Sequence, residues 1–94
     1  MIAARVKKAI ERVIRARMER YGMRAIAVRE GKDHDGDDVL YVDVEYDLVD
    51  EPLPLGITYG LITEVRHVTE PLGEARFPHV RHHFDDRQEV VDTR

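Results

Sequence analysis

Residues 39–48 read Val-Leu-Tyr-Val-Asp-Val-Glu-Tyr-Asp-Leu, and their alternation decides the fold. Apolar side chains recur at every second position, which predicts a β-strand over residues 39–49 with one face buried. The side chains predicted to face the core are Leu40, Val42, Val44, Tyr46 and Leu48. The side chains predicted to face the other way are Tyr41, Asp43, Glu45 and Asp47.

A second strand precedes this one and is joined to it by a tight turn. Residues 23–30 are rich in Ala, Ile and Val, with Ile26 and Val28 predicted to face inward. Asp35-Gly36 lies between the two alternating segments, and this dipeptide is a strong short-range signal for a β-hairpin. The two strands are therefore predicted to pair in antiparallel fashion.

An amphipathic helix is predicted over residues 2–21, ending at Gly22 as a left-handed cap. Its apolar side chains recur at spacings of three and four. They are Ile2, Val6, Ile10, Val13, Ile14, Met18 and Tyr21. Arg17 interrupts this stripe, so its stem is expected to lie along the core edge with its head in water, or else to pair with a buried carboxylate of the sheet.

The second half of the chain predicts a connector, a helix and a last strand. Pro52 and Pro54 end the preceding strand, because proline cannot donate to a sheet. A helix is predicted over residues 56–70, with Ile57, Leu61, Val65 and Val68 on its inner stripe. A strand is predicted over residues 75–84, and Pro78 within it favours an edge strand or a bulge.

These elements predict an α+β fold, a two-layer αββαβ sandwich with a three-stranded mixed sheet and two helices on one face. Residues 1–86 are expected to form a single α/β domain, and residues 87–94 a flexible C-terminal tail. The uncovered face of the sheet is the natural place for a binding surface. We expect it to carry Ala25, Ala27, Arg29, Tyr41, Asp43, Glu45, Asp47, His79, Arg81 and His83. We expect Arg17 of the first helix to belong to the interaction surface as well.

The composition excludes several kinds of chemistry. The 94 residues include no Cys and no Ser, so a thiolate or serine nucleophile is absent, as is any sulfur ligand for zinc. No apolar run approaches the ~20 residues needed to span a bilayer, so we expect no membrane insertion. We expect a cytoplasmic protein, more consistent with a binding module than with an enzyme.

The charge is divided unevenly along the chain. Residues 1–24 carry eight basic and two acidic residues, whereas residues 25–94 carry 7 basic and 17 acidic ones. Such a split requires either docking of the two parts on each other or separate partners of opposite charge. Nucleic acid is not expected as the partner, because the acidic remainder would repel phosphates.

The histidines of the last strand suggest a metal site as an alternative. His79 and His83 share one face but lie about 13 Å apart along an extended strand, so one ion would need further ligands. A bulge at Pro78 could bring the two histidines closer, or Glu45, Asp47 or a second subunit could supply the missing ligands. Imidazole with carboxylate suits zinc or another divalent transition metal. If these residues bind no metal, we expect no cofactor, and we expect the histidines to pair with the acidic side chains of the neighbouring strand.

The layout also resembles a known family. Val42-Asp43-Val44-Glu45 in the middle strand and His79, His82 and His83 in the last are similar to the pattern of the cytoplasmic C-terminal domain of cation diffusion facilitator transporters. The resemblance covers roughly residues 1–86 as an order of elements. It implies a metallochaperone-like module that dimerises and binds regulatory metal.

Three functions follow as hypotheses. The first is a small non-catalytic protein-interaction module that associates with itself or binds a basic protein partner, for instance to neutralise or regulate it. The second is a divalent-metal-binding regulatory domain using the last strand. The third is a phosphodiesterase or ribonuclease that depends on His79 and His83, with Arg81 and Tyr41, although the sequence shows no pocket for it.

Overall fold

The computed structural model describes residues 1–47 and 55–84, and within them the elements follow the predicted order helix, strand, strand, helix, strand. Two short 3-10 turns, Glu19–Tyr21 and Glu70–Leu72, extend the two helices. The elements are α1 (Ala4–Met18), β1 (Met23–Lys32), β2 (Asp38–Tyr46), α2 (Leu55–Thr69) and β3 (Phe77–Phe84).

The three strands form one mixed sheet in the order β1-β2-β3. Strands β1 and β2 are antiparallel, with Val28 opposite Val42, and β2 and β3 are parallel, with Val42 opposite Val80. The predicted α+β class and its αββαβ order are confirmed. Strand β3 lies at an edge of the sheet, as Pro78 indicated.

The core lies between the two helices and one face of the sheet. Strand β2 contributes alternate residues to it, because successive side chains of a strand point to opposite faces. Helix α1 contacts α2 and β1, and α2 also contacts β3. The fully buried members of this cluster include Ile10, Ile14, Met18, Leu40, Val42, Val44, Tyr46, Leu61 and Val65.

Two glycines with positive φ set the turns that bring these elements together. Gly22 has φ 87° and ends the first helical segment in the left-handed conformation, as predicted. Gly36 also has φ 87°, and its amide donates to the carbonyl of Asp33 at 3.0 Å, which closes the hairpin. The Asp33 side chain also accepts from the amides of Asp35 and Asp37, so the acidic loop is held by its own backbone.

Some boundaries differ from the prediction. Strand β3 begins at Phe77 rather than residue 75, because Glu74 and Arg76 form a bidentate ion pair before it. The predictions for Leu48, for the connector at residues 50–54 and for the tail at residues 87–94 fall outside the described residues. Neither helix in the described part of the chain is long and apolar enough to cross a membrane.

Candidate functional site

One face of the sheet is covered by neither helix of the described residues, and we call it the open face. Its side chains are those of the β2 residues that alternate with the core-facing ones, and of the β3 residues that pair with them. The parallel register places Tyr41 opposite His79, Asp43 opposite Arg81, and Glu45 opposite His83. The sequence therefore predicted the members of this face correctly for all six positions.

Asp43 is the centre of the open face. Its Oδ1 accepts from Nε of Arg81 at 2.8 Å and bonds Nε2 of His83 at 2.9 Å. Its Oδ2 accepts from Nη2 of Arg29 at 3.0 Å and from Nη2 of Arg81 at 3.1 Å. The Asp43 side chain is only 12% exposed, whereas those of Arg29, Arg81 and His83 are 59%, 43% and 52% exposed. One nearly buried carboxylate thus fixes three half-exposed side chains.

The surroundings of Asp43 determine its protonation. Burial alone would raise the pKa of its carboxyl, but the hydrogen bonds from Arg81, His83 and Arg29 outweigh burial and hold the pKa well below its ordinary value. The Asp43 carboxyl also raises the pKa of Arg81 through their hydrogen bond. The Asp43 carboxylate and the Arg81 guanidinium therefore both stay charged at neutral pH, which keeps their ion pair intact.

Tyr41 extends the open face away from Asp43. Its ring lies under the guanidinium of Arg81, with Cζ 4.5 Å from the ring centroid, and stacks on His79 at 5.7 Å between centroids. Its hydroxyl donates to the carbonyl of Lys32 at 2.8 Å, and Phe77 meets His79 edge-on at 5.1 Å. The result is a continuous strip of aromatic rings beside the Asp43 cluster.

Gly31 allows the Tyr41 ring to lie across β1. A Cβ built on Gly31 would stand 2.6 Å from Cδ2 of Tyr41 and closer still to Cε2. We expect Gly31→Ala to displace the ring and lower the free energy of unfolding by about 1–2 kcal/mol, measured by urea denaturation. Gly60→Ala is the matched control, because a Cβ there meets nothing within 4 Å in a helix interior and should stabilise by about 0.5–1 kcal/mol. Equal effects of the two substitutions would contradict the proposed packing.

Arg24 pairs with the carboxylates at the end of the open face, and no pattern in the sequence indicated this pairing. Its guanidinium donates to Glu45 at 3.1 Å and to Asp47 at 3.4 Å. A register irregularity between Met23 and Ala25 shifts the alternation of β1 and brings Arg24 to these carboxylates. The negative charges of Glu45 and Asp47 are therefore neutralised by an arginine of the same chain.

His82 lies on the opposite face of the sheet from His79 and His83, because successive side chains of a strand point to opposite faces. Its Nδ1 bonds the hydroxyl of Tyr46 at 2.6 Å, and burial lowers the pKa of His82. Burial also raises the pKa of Tyr46 to about 12, so the phenol keeps its proton and donates to a neutral imidazole. This pair belongs to the core and takes no part in the open face.

The predicted metal ligands are not brought together. His83 is bonded to Asp43, and Glu45 and Asp47 are both bonded to Arg24. His79 is stacked on Tyr41, four residues along β3 from His83. Within residues 1–47 and 55–84, no three His, Asp or Glu side chains are grouped as a metal ion would require. The described geometry therefore offers no ligand set for zinc.

The candidate catalytic histidines lie outside two depressions in the described part of the chain. Two surface depressions of the described residues are lined by Glu30, Lys32 and Arg76 at one end of the sheet, and by Arg66 and Glu70 beside α2. Neither includes His79 or His83, and the His83 side chain is half exposed to water. General acid–base catalysis is most effective for a positioned group in a pocket that excludes water, whereas the His83 side chain is 52% exposed.

Within the described residues, the basic side chains of α1 do not pair with the carboxylates of the sheet. Arg17 donates to Glu64 of α2 at 2.8 Å and is half exposed, so the alternative of a buried pair with a sheet carboxylate is wrong. The half-exposed Arg17 side chain agrees with the prediction that its stem lies along the core edge and its head in water. Within the described residues, six basic side chains of the first 24 positions form no ion pair with a carboxylate: Arg5, Lys7, Lys8, Arg12, Arg15 and Arg20.

Comparison with known proteins gives no match: no family model, no curated protein and no solved structure is similar to this chain. The resemblance to the cation diffusion facilitator domain therefore stays a prediction that rests on the order of the elements. The open face must be interpreted from its own chemistry.

Proposed function

We propose that this chain is a non-catalytic protein-interaction module that binds a protein partner through the open face. The supporting observation is the Asp43 cluster, in which one nearly buried carboxylate fixes Arg29, Arg81 and His83 while leaving their outer surfaces exposed. Side chains fixed before binding lose less conformational entropy when a partner docks. Arginine and tyrosine are also the residue types that dominate binding energy at protein interfaces.

The charges of the open face favour one kind of partner. Asp43, Glu45 and Asp47 already accept hydrogen bonds from arginines of the same chain. A basic partner would have to break these bonds, so the three carboxylates do not favour a basic partner. The exposed guanidinium edges and the Tyr41 ring instead fit a partner that presents carboxylates and apolar side chains.

Affinity capture from the native host tests this proposal. The tagged wild-type chain should retain a partner in a stoichiometric complex, with its mass measured by light scattering after size exclusion. Arg81→Ala and Tyr41→Ala should each reduce the captured partner at least ~10-fold, as loss of an interface hot spot does. Arg15→Ala is the matched control, since Arg15 lies on the exposed side of α1.

Two results would contradict the proposal. One is that no protein co-purifies stoichiometrically with the wild-type chain. The other is that Arg81→Ala and Tyr41→Ala capture the same partner as well as Arg15→Ala does, while circular dichroism shows all variants to be folded.

A further inference from the structure

Helix α1 carries a stripe of positive charge on the side that faces solvent, and we call it the cationic stripe. Its members are Arg5, Lys8, Arg12 and Arg15. All four are exposed, and they recur at spacings of three, four and three. Such spacings place residues along one line of an α-helix, so the stripe runs for about 15 Å parallel to the axis. The apolar residues that α1 buries, from Val6 to Met18, lie on the opposite side of the helix.

The charge of the cationic stripe is not compensated within the described residues. No ion pair among residues 1–47 and 55–84 includes a member of the stripe. From residue 4 to residue 21 the chain has seven basic residues against two acidic ones, Glu11 and Glu19. A row of unpaired cations concentrates positive potential, which attracts a partner that carries many negative charges.

Helix α2 continues this surface without adding negative charge to it. It packs beside α1, and Arg17 joins the two helices by donating to Glu64 at 2.8 Å. The exposed residues in the first half of α2 are uncharged: Gly56, Tyr59 and Thr63. The outer surfaces of α1 and α2 together form the helical side of the molecule. Tyr59 is 77% exposed there, and a tyrosine with an apolar ring and a polar hydroxyl is typical of the boundary between membrane and water.

The carboxylates of the open face do not oppose anion binding at the helical side. Asp43, Glu45 and Asp47 lie on the far face of the sheet, so at least the ~10 Å diameter of a helix separates them from the cationic stripe. The Debye length at physiological ionic strength is about 8 Å, so their field is largely screened at that distance. All three also accept hydrogen bonds from arginines of the same chain.

We propose that the helical side binds the surface of a bilayer that contains anionic lipids, with the cationic stripe against the headgroup phosphates. The apolar side of α1 is occupied by the core, so the helix rests on the headgroups and does not insert into the acyl chains. Each Lys or Arg near an anionic bilayer strengthens binding about fivefold, and four of them together by several hundredfold.

The shape of the helical side favours a flat anionic surface over the groove of a nucleic acid. Two packed helices, each ~10 Å across, present a surface about 20 Å wide, whereas the major groove of duplex DNA is about 12 Å wide. Because α2 packs against α1, it would meet the DNA backbone before the cationic stripe entered the groove. A bilayer is flat on this scale and offers phosphates at every position along the stripe.

This membrane surface goes beyond the proposed function and does not depend on it. The open face lies on the other side of the sheet, so it points away from the bilayer when the helical side is bound. The Asp43 cluster then stays accessible to its protein partner. Arg81→Ala, which should lose that partner, should keep its affinity for lipid, so the two proposals fail separately.

Co-sedimentation with lipid vesicles tests the binding. The wild-type protein should sediment with vesicles of phosphatidylcholine that contain about one quarter phosphatidylglycerol, and should stay in the supernatant with phosphatidylcholine alone. Raising the salt concentration from about 0.1 M to about 1 M should release it, because the Debye length falls from ~10 Å to ~3 Å.

A pair of double variants tests the cationic stripe. Arg5→Gln combined with Arg12→Gln should weaken binding to the anionic vesicles at least ~10-fold, and glutamine preserves the helix propensity of arginine. Arg24→Gln combined with Arg29→Gln is the matched control, because it removes the same charge from the side chains that pair with carboxylates of the open face. The control should bind within about twofold of the wild type. Circular dichroism checks that both variants are folded.

A fluorescent probe tests the orientation on the bilayer. The chain contains no tryptophan, so Tyr59→Trp introduces a single one on the helical side. Its emission should shift to shorter wavelength on addition of the anionic vesicles and stay unchanged with the neutral ones. An unshifted emission from protein that has sedimented with vesicles overturns the orientation.

Three results would overturn the membrane surface itself. The first is a wild-type protein that does not distinguish anionic from neutral vesicles. The second is equal loss of binding in the two double variants. The third is a duplex DNA that displaces the protein from anionic vesicles at equal phosphate concentration, which would assign the cationic stripe to nucleic acid.

Discussion

Asp43→Ala is expected to lower the free energy of unfolding by about 2–3 kcal/mol and to abolish partner binding by the open face. The substitution removes the acceptor shared by Arg29, Arg81 and His83, leaving three cationic or polar groups close together. The cost is below that of a fully buried ion pair, because the three partners are half exposed and can turn to water. Urea denaturation measures it.

Asp47→Ala is the matched control for this substitution. The Asp47 carboxylate is well exposed and accepts a single long bond from Arg24, so its removal should change stability by less than about 0.5 kcal/mol. If the two substitutions cost the same, Asp43 does not organise the open face.

The pH dependence of stability provides a further check on Asp43. The folded-state pKa of its carboxyl lies below the unfolded value of about 4, so its stabilisation is complete above that value and is lost as pH falls through the folded pKa. The stability difference between the wild type and Asp43→Asn should therefore shrink as pH falls below about 4. A difference that is unchanged at pH 3 would contradict the assignment.

Tyr46→Ala is expected to have the largest effect on stability, about 3–5 kcal/mol. The Tyr46 side chain is fully buried, stacks on Phe84 at 4.8 Å between ring centroids, and bonds His82. Its removal leaves a cavity in the core and an unpaired imidazole. A domain of this length has a total stability of roughly 5–14 kcal/mol, so thermal denaturation should show a large decrease in Tm.

Tyr46→Phe separates the hydrogen bond from the packing. It keeps the ring and removes only the hydroxyl, so about 1 kcal/mol is expected, with Phe84 still stacked. If Tyr46→Phe costs as much as Tyr46→Ala, the bond to His82 rather than the buried ring holds this part of the core. If neither variant is destabilised, the buried placement of Tyr46 is wrong.

The fold was accessible from the sequence because its strongest patterns are local. The alternation of residues 39–46 set which side of β2 is buried, and Asp35-Gly36 set the hairpin. The position of Pro78 indicated an edge strand for β3. The predicted helix over residues 2–21 was too long, because the α-helix runs from Ala4 to Met18 and the last turn before Gly22 tightens to a 3-10 conformation.

The sequence predicted which side chains share the open face, but not the hydrogen bonds that connect them. Alternation and strand order were enough to place Asp43, Arg81 and His83 side by side. The role of Arg24 depends on the irregularity of β1 at Met23–Ala25, which has no mark in the sequence. The partner of Arg17 is Glu64, and this pairing depends on how two helices cross, which periodicity does not encode.

Oxidative footprinting of the chain with and without its captured partner tests the open face most directly. Binding should lower the oxidation of Tyr41, His79 and His83, while Tyr59, which is 77% exposed on α2, should keep its rate. Protection of Tyr59 with unchanged oxidation of Tyr41 and the two histidines would contradict the account, because the partner would then occupy the helical side of the molecule.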